Sequence, residues 1–479
     1  MLAAVPAFGG AGAMVGCGGS GQKGGSAGGG ASGTGGAGGS ARGGSGDAGG
    51  IGGTAGQGGG AGAGGSGGAG GIGGGAGRGG GAGTDAAGGA AGGIGGGAGR
   101  GGGAGTGAAG GAAGQGGGAG GGNPDVVWQY LGPEGTIAAS VVVDSARVIH
   151  VAGVDNSVSA GVHLRLDENG NFLSLDRDPV NGGSSFGDVA IDAADNIYLV
   201  GTTRVGGETR AYIRWRGVGG TTWGHAEIHN SNSSIWQQAK TDSQGRIVTV
   251  GSYSTGTTTH TILRRYLPAG GYDLDKADSG DNQSVGVTVG ANDNIYVAGR
   301  NLISDASGFI ASTATLTGWT PAGVQLFQAL IPNKSTCPAT GAYTYGRSTA
   351  FDGAGGLWFA AWHCDFQPIL RKYDPTSGAL LVNADYDAPG GNTQERVAGD
   401  GTSLAIVGNG SWSSSAPAGF QLYDTDLQGI SRRKFYYSIS ADDSLLGVSF
   451  IGRDRIVVGY TRSPTDVIYQ IWVARIRMP

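Results

Sequence analysis

Clusters of basic residues and long apolar runs are both missing from this chain of 479 residues. Only 14% of its residues are charged, and acidic residues outnumber basic ones by 35 to 30. Because nucleic acids and anionic membranes are held by grouped Lys and Arg side chains, this distribution argues against both as direct partners. Cysteine occurs three times and histidine six times. Neither forms a strong metal or cofactor motif, so we expect no cofactor.

All tryptophans and most other aromatic residues lie in one part of the chain. Before about Asn123 nearly every residue is Gly, Ala, Ser or Thr, whereas all 9 Trp follow it. Glycine loses the most conformational entropy on ordering and adds no side chain to a core. We therefore predict a disordered Gly-rich linker over 18–122, with an end-to-end distance of roughly 55 Å. The folded domain is predicted over 123–479.

The chain begins with a short apolar stretch, "MLAAVPAFGGAGAMVGC". Residues 2–16 are too few to span a bilayer, which takes roughly 20 apolar residues, but they suit a signal peptide. The stretch resembles a bacterial lipoprotein signal peptide with "MVGC" as its lipobox, although no Lys or Arg precedes it. The resemblance implies a signal over 1–17, a lipidated Cys17 and, because Gly18 follows, the outer membrane or cell surface. The alternatives are a free cysteine and a secreted protein.

The domain over 123–479 repeats a short apolar run that ends in Gly or Ala. The seven copies are "RVIHVAG" (147–153), "NIYLVG" (196–201), "RIVTVG" (246–251), "NIYVAG" (294–299), "GLWFAA" (356–361), "LAIVG" (404–408) and "RIVVG" (455–459). An earlier apolar stretch and an Asp-led turn precede most copies, and two further stretches follow. Four strands in each of seven units predict an all-β fold, a seven-bladed β-propeller with antiparallel blades.

The last unit has only three such stretches, whereas "DVVWQYLG" (125–132) reads as a fourth strand without a unit. We predict that this segment completes the last blade, because the pairing removes two exposed sheet edges. The alternative architecture is an open β-solenoid.

Two of the repeats resemble known families. "RIVTVGSYSTGTTTHTILRRYLPAGGYDLD" (246–275) is similar to a delta-60 repeat, and "DAADNIYLVG" (192–201) is similar to a bacterial seven-bladed propeller repeat. The resemblance implies a secreted propeller and no particular activity. The fourth unit departs from the pattern because it lacks the Arg of the third strand.

Aromatic residues recur shortly after the second strand of several units. They are Tyr253, Trp362, Trp412 and Tyr460. In a propeller these positions share one face, where the rings can stack on sugars or anchor a protein partner. The structural alternative is packing between neighbouring blades.

Cys337 and Cys364 flank the first two strands of the fifth unit. Cys337 lies in the loop before the first strand and Cys364 lies just past the second. In propeller geometry these two loops share a face, so we predict a disulfide, which agrees with export. The alternative is a pair of free thiols.

Three further patterns have a weaker basis. "HAEIH" (225–229) places His225, Glu227 and His229 on one side of a strand, as a zinc site requires, but an outer strand ordinarily carries such polar residues. "GSSFG" around Ser185 matches a nucleophile elbow, which needs a helix that is not predicted. The Arg repeated in third strands is predicted to make structural ion pairs rather than to bind phosphate.

The sequence thus predicts a surface-exposed, lipid-anchored propeller, monomeric, that is a binding or structural module for a glycan or a protein. An enzyme is not the favoured prediction. Two alternatives stay open: a lyase or hydrolase acting on glycans or peptides at the channel mouth, and a passive surface spacer.

Overall fold

The computed structural model describes residues 126–178, 183–218, 220, 223, 225–228, 233–255, 258–268, 270–277, 282–304, 310–331, 344–352, 354–363, 368–383, 393–400, 403–409, 420–425, 433–437, 444–462 and 468–477. Within these ranges every regular element is a β-strand. The same ranges hold no helix that is long and apolar enough to cross a membrane. The predicted segments 1–17 and 18–122 lie outside the described residues.

The described strands form seven antiparallel sheets of four, which we number as blades. Blade 1 comprises β2 (Thr136–Val143), β3 (Ile149–Asp155), β4 (Ala160–Leu166) and β5 (Phe172–Arg177). Blade 2 comprises β6 (Ser184–Ile191), β7 (Ile197–Val205), β8 (Glu208–Arg216) and β9 (His225–Ile228). Blade 3 comprises β10 (Ser234–Thr241), β11 (Ile247–Thr255), β12 (Thr258–Tyr266) and β13 (Tyr272–Ala277). Blade 4 comprises β14 (Asn282–Val289), β15 (Ile295–Ser304), β16 (Ile310–Trp319) and β17 (Gln325–Ile331). Blade 5 comprises β18 (Tyr345–Phe351), β19 (Leu357–Trp362), β20 (Pro368–Tyr373) and β21 (Leu380–Asn383). Blade 6 comprises β22 (Thr393–Gly399), β23 (Leu404–Asn409), β24 (Phe420–Thr425) and β25 (Arg433–Tyr437). Blade 7 comprises β26 (Ser444–Ile451), β27 (Asp454–Arg462), β28 (Tyr469–Ile476) and β1 (Val126–Glu134).

The first strands of consecutive blades lie side by side around a central channel. β2 contacts β6, β6 contacts β10, and the series continues through β14, β18 and β22 to β26, which contacts β2 again. The ring is closed, so the predicted seven-bladed propeller is confirmed and the open solenoid is wrong. β1 is the outermost strand of blade 7 and pairs with β28, with Tyr130 opposite Val473. The prediction that the segment 125–132 completes the last blade is confirmed for its described residues, 126–132.

The repeated letters "DNIY" form a turn and a link between blades. Each first strand ends, and each second strand begins, at what we call the lower face. There Asp192 accepts hydrogen bonds from the backbone N–H groups two and four residues on, which closes the turn between β6 and β7. Asp195, at a φ of 60°, accepts the backbone N–H of Ser145 in blade 1 at 3.1 Å. Asp293 and Ser243 repeat this contact between blades 4 and 3, at 2.8 Å.

The glycine that ends most of the seven runs is explained by a bulge. Every first strand carries a β-bulge, and the run-ending residue of the second strand pairs with the residue just before it. A Cβ built on five of these glycines would lie within 3.0 Å of a carbonyl oxygen of the first strand; the five are Gly153, Gly201, Gly251, Gly299 and Gly459. In blade 5 the run ends in Ala361, which pairs with Gly346 just before the bulge of β18. At the five glycines, the close approach of the first strand's carbonyl oxygen therefore leaves no room for a side chain.

Large side chains between neighbouring blades form the core. Trp236, Trp358 and Trp472 are each fully buried. Val151 of blade 1 shares an apolar cluster with Ile471 of blade 7, so the last blade packs against the first. Burial of this kind, at about 25 cal/mol per Å² of apolar surface, is the main stabilising term of the ring.

The Arg repeated in third strands makes ion pairs in the described residues. Arg214 of β8 pairs with the buried Asp178 that follows blade 1, and Arg475 of β28 pairs with Asp454 at 2.7 Å. These contacts agree with the predicted structural role.

Candidate functional site

The upper face, where second strands end, carries the predicted aromatic residues. Those that the structure describes are Tyr253, Trp362 and Tyr460. Tyr253 stacks on His260 of its own blade with ring centres 4.9 Å apart. Tyr460 packs edge-on against Tyr469, also at 4.9 Å and within blade 7. The structure therefore places the three rings on one face, each with a partner in its own blade. Trp412 lies outside the described residues.

Trp362 belongs to a layered cluster where blades 4 and 5 meet. Tyr345 lies opposite Trp362 in the adjacent strand, and the two rings stack with centres 4.1 Å apart. The Arg300 guanidinium of blade 4 lies 4.4 Å from the centre of the Tyr345 ring. Gln283 fixes this guanidinium, because its Oε1 accepts a hydrogen bond from Arg300 Nε at 2.8 Å. Arg347 lies 5.9 Å from the Trp362 ring centre. We call Arg300, Tyr345, Trp362 and Arg347 the Arg-aromatic stack.

Burial decides which parts of the Arg-aromatic stack a ligand can reach. Trp362 is only 9% exposed, and Tyr345 covers one face of its ring. Tyr345, Arg300 and Arg347 are half-buried. A ligand on the upper face therefore meets guanidinium groups and a tyrosine before it meets the indole. Guanidinium groups match carboxylate and sulfate groups through paired hydrogen bonds.

Sequence analysis missed Arg300, Tyr345 and Arg347. They do not recur from blade to blade, so the repeat pattern does not mark them. One signal was available, because antiparallel pairing places the first residue of β18 opposite the last residue of β19. That register predicts the contact of Tyr345 with Trp362 once the hairpin is recognised.

One cavity of the channel is small. A cavity of about 40 Å³ lies among the first strands. This volume has room for about three water molecules. A sugar ring does not fit in this cavity, so the cavity is not a candidate glycan site.

Several predicted residues lie elsewhere. Cys17, Cys337 and Cys364 are outside the described residues, so lipidation and the disulfide stay predictions. Ser185 lies within β6 and exchanges a hydrogen bond with Thr202 at 2.9 Å, away from any strand-turn-helix geometry in the described ranges. His225 and Glu227 belong to β9, whereas His229 lies outside the described residues. Among the residues that the structure describes, no three His, Cys, Asp or Glu side chains are grouped as metal ligands.

Two histidines that the sequence analysis passed over are buried between blades 1 and 2. His150 Nδ1 lies 3.1 Å from His163 Nε2, and His150 Nε2 lies 3.1 Å from Asp144 Oδ2. On the other side, Arg216 Nη2 lies 3.5 Å from His163 Nδ1. Two neutral imidazoles satisfy these contacts in one way, in which Arg216 donates to His163, His163 to His150, and His150 to the carboxylate. We assign the tautomers on this basis.

Burial lowers the pKa of His163 to about 4, although the Asp176 carboxylate nearby acts in the opposite direction. Burial lowers the pKa of His150 as well. Both side chains are almost fully enclosed, at 1% and 0% exposed. The pair therefore stays neutral at pH 7 and holds blades 1 and 2 together rather than meeting a substrate.

We expect the folded state to lose about 2 kcal/mol of stability through His163 between pH 7 and pH 5. In the unfolded chain the pKa of this imidazole is near 6.5. Between pH 6.5 and about pH 4, His163 is therefore protonated in the unfolded chain and neutral in the folded one. The stabilisation is thus complete above pH 6.5 and falls as the pH falls. The free energy of unfolding in denaturant, measured at pH 7, 6 and 5, gives the slope. His163→Gln should show a shallower slope, and equal slopes for the two proteins would contradict the assignment.

Comparison with known proteins gives likeness in fold alone. No model of a protein family matches the chain, and no curated protein matches it in sequence. The selenomethionine-substituted virginiamycin B lyase from Staphylococcus aureus is 11% identical, with a TM-score of 0.49, over 73% of this chain and 98% of that one. An ulvan lyase of a new polysaccharide lyase family, bound to GlcA(1-4)Rha3S, is 11% identical, with a TM-score of 0.48, over 71% and 93%. A protein of unknown function from Dyadobacter fermentans is 11% identical, with a TM-score of 0.45, over 74% and 99%. Likeness at this level carries no argument about activity, and the propeller assignment rests on the strand order described above.

Proposed function

We propose that the protein is a binding module whose upper face, at blades 4 and 5, receives an acidic glycan. One observation carries the proposal, the Arg-aromatic stack. Two guanidinium groups from neighbouring blades flank stacked Tyr345 and Trp362 rings at the channel mouth. Aromatic side chains give contact area to a sugar, and guanidinium groups recognise its carboxylate or sulfate groups. An acidic chain suits this surface better than a neutral one, because the indole face is already covered.

The proposal also includes a location, the cell surface. Lipidation at Cys17 would anchor the protein in a membrane leaflet, since each buried methylene contributes about 0.8 kcal/mol. The Gly-rich segment 18–122 would then act as a tether that lets the propeller reach extended polymers at the cell surface. The resemblance of residues 1–17 to a lipoprotein signal supports this part.

Binding of acidic and neutral polysaccharides to the full chain tests the proposal. We expect polygalacturonate to bind and dextran not to bind, in titration calorimetry at low salt. Arg300→Gln and Arg347→Gln should each weaken binding about tenfold, because a hydrogen bond to a charged group contributes about 1.5–3 kcal/mol. Added salt should weaken binding further.

Arg210→Gln is the matched control. Arg210 also lies near the upper face, at the start of the third strand of blade 2, and pairs with the partly exposed Glu208 at 3.1 Å. Surface pairs of this kind contribute little to stability. The proposal fails if Arg210→Gln weakens binding as much as Arg300→Gln, or if dextran binds as well as polygalacturonate.

One observation favours the enzyme alternative. On the same face, Tyr253 and His260 stack at 4.9 Å, and His260 Nε2 lies 2.8 Å from the Thr255 hydroxyl. A half-buried imidazole beside a phenol is a group that can move protons. Chain length of the polysaccharide after incubation separates the two functions. Shortening would show turnover, and neither binding nor shortening would leave the surface spacer.

A further inference from the structure

The cavity inside the channel is lined by polar side chains from several blades. They include Ser140, Asp188, Gln238, Lys240, Thr349 and Arg396. Most of them lie at or beside the bulge of a first strand. Because the bulge recurs in every blade, these side chains line the channel at about the same height.

Some of these groups are already used between neighbouring blades. Ser140 donates its hydroxyl hydrogen to Asp188, and the other oxygen of Asp188 accepts the backbone N–H of Ala239 at 2.9 Å. Gln238 Oε1 accepts the backbone N–H of Val287 at 2.6 Å. The acceptors named here are therefore occupied by donors from adjacent blades, and the carboxylate of Asp188 is satisfied on both oxygens.

Three further polar side chains of the lining, those of Lys240, Thr349 and Arg396, can donate hydrogen bonds. Lys240 is half-buried, and its ammonium group makes no hydrogen bond or ion pair within the described part of the chain. The Thr349 hydroxyl is buried, at 2% exposed, and has no partner in the described part of the chain. Arg396 reaches across the channel from blade 6 and donates to the Gly187 carbonyl oxygen of blade 2 at 3.3 Å. Among the charged side chains that line the cavity, Lys240 and Arg396 are cations and Asp188 is the carboxylate.

We infer that the cavity is a binding site for one small inorganic oxyanion, of the size of sulfate or phosphate. Lys240 and Arg396 supply charge from opposite blades, and the Thr349 hydroxyl supplies a neutral donor. A cation held away from bulk water gains more from an anion than an exposed one does, because the interior screens charge weakly. The cavity has room for about three water molecules, which is close to the space that a tetrahedral oxyanion needs. The site shares no residue with the Arg-aromatic stack, so it goes beyond the glycan-binding proposal.

Thermal unfolding of the full chain tests the inference. Sodium sulfate and sodium phosphate are titrated up to about 10 mM against sodium chloride of equal ionic strength, a range in which general salting effects are small. We expect a saturable rise of the melting temperature with either oxyanion and none with chloride. In Lys240→Gln and in Arg396→Gln the half-saturating concentration should increase at least tenfold.

Lys276→Gln is the control, since Lys276 is an exposed lysine on β13, the outermost strand of blade 3, and should respond as the wild type does. In chloride alone, the melting temperature of Lys240→Gln should be no lower than that of the wild type, because the substitution removes a cation without an ion-pair partner. In sulfate, the wild type should have the higher melting temperature. No rise in the wild type, or an equal rise in the wild type, Lys240→Gln and Arg396→Gln, overturns the inference. Arg300→Gln should keep the full response, so failure of the glycan proposal does not affect this result.

Discussion

Gly201→Ala is expected to destabilise the propeller by about 3 kcal/mol, near the upper end for overpacked sites. Gly201 ends the repeated run of blade 2 and pairs with Phe186, just before the bulge of β6. A Cβ there would lie within 3.0 Å of the carbonyl oxygen of Ser185. Backbone on both strands would have to shift, because no flexible side-chain end can move aside. The midpoint of urea unfolding measures the loss.

Gly187→Ala is the matched control, on the neighbouring strand of the same hairpin. A Cβ on Gly187 would meet its nearest atoms at 3.6 Å, an ordinary van der Waals contact, and its φ is not positive. We expect the free energy of unfolding of this variant to lie within about 0.5 kcal/mol of the wild-type value, as it does for most tolerated substitutions. Similar losses for the two alanine variants would mean that the bulge does not require a glycine at position 201.

Deleting residues 126–134 is expected to have a larger effect than Gly201→Ala and to destabilise the propeller by more than about 5 kcal/mol. β1 pairs along β28, and Tyr130 within it is buried at 4% exposed. Trp128 packs against the same cluster and donates its indole N–H to the Glu168 carbonyl oxygen at 3.1 Å. The loss of one large aromatic side chain alone costs about 3–5 kcal/mol, and the deletion also removes a ladder of backbone hydrogen bonds.

A deletion of equal length within the Gly-rich segment, over 61–69, is the control and should leave the unfolding midpoint unchanged. A synthetic peptide of residues 126–134, added in excess to the strand-deleted protein, should restore part of the lost stability by pairing with the open edge of β28. Full stability without the strand would contradict the closure that we describe.

The repeat made the architecture predictable from the sequence because each blade uses the same turn and the same bulge. Asp192 closes a turn, and Gly201 makes room at a bulge. Blade 5 shows the limit of that pattern, since its run ends in Ala361 rather than in glycine although β18 carries the same bulge.

The candidate sites were less predictable, because they are made where blades differ. Arg300 and Arg347 occur once each at their positions, and the contact of Arg300 with Tyr345 joins two blades. His150 and His163 carry no diagnostic spacing; their burial depends on Arg216 and Trp223, which come from the next blade. Contacts of this kind follow from packing in three dimensions rather than from the period of the sequence.

The pairing of β1 with β28 has a consequence for the order in which the chain folds. Gln129 accepts a hydrogen bond from the indole of Trp472, 343 positions later in the chain. During synthesis β1 therefore has no partner strand until nearly the whole propeller has been synthesised. Contacts between such distant segments are slow to form, because the entropy of closing a large loop is lost before the contact is gained. Closure of the seventh blade should be a late and slow folding step, and a chain caught before it would expose two strand edges that favour association with other copies.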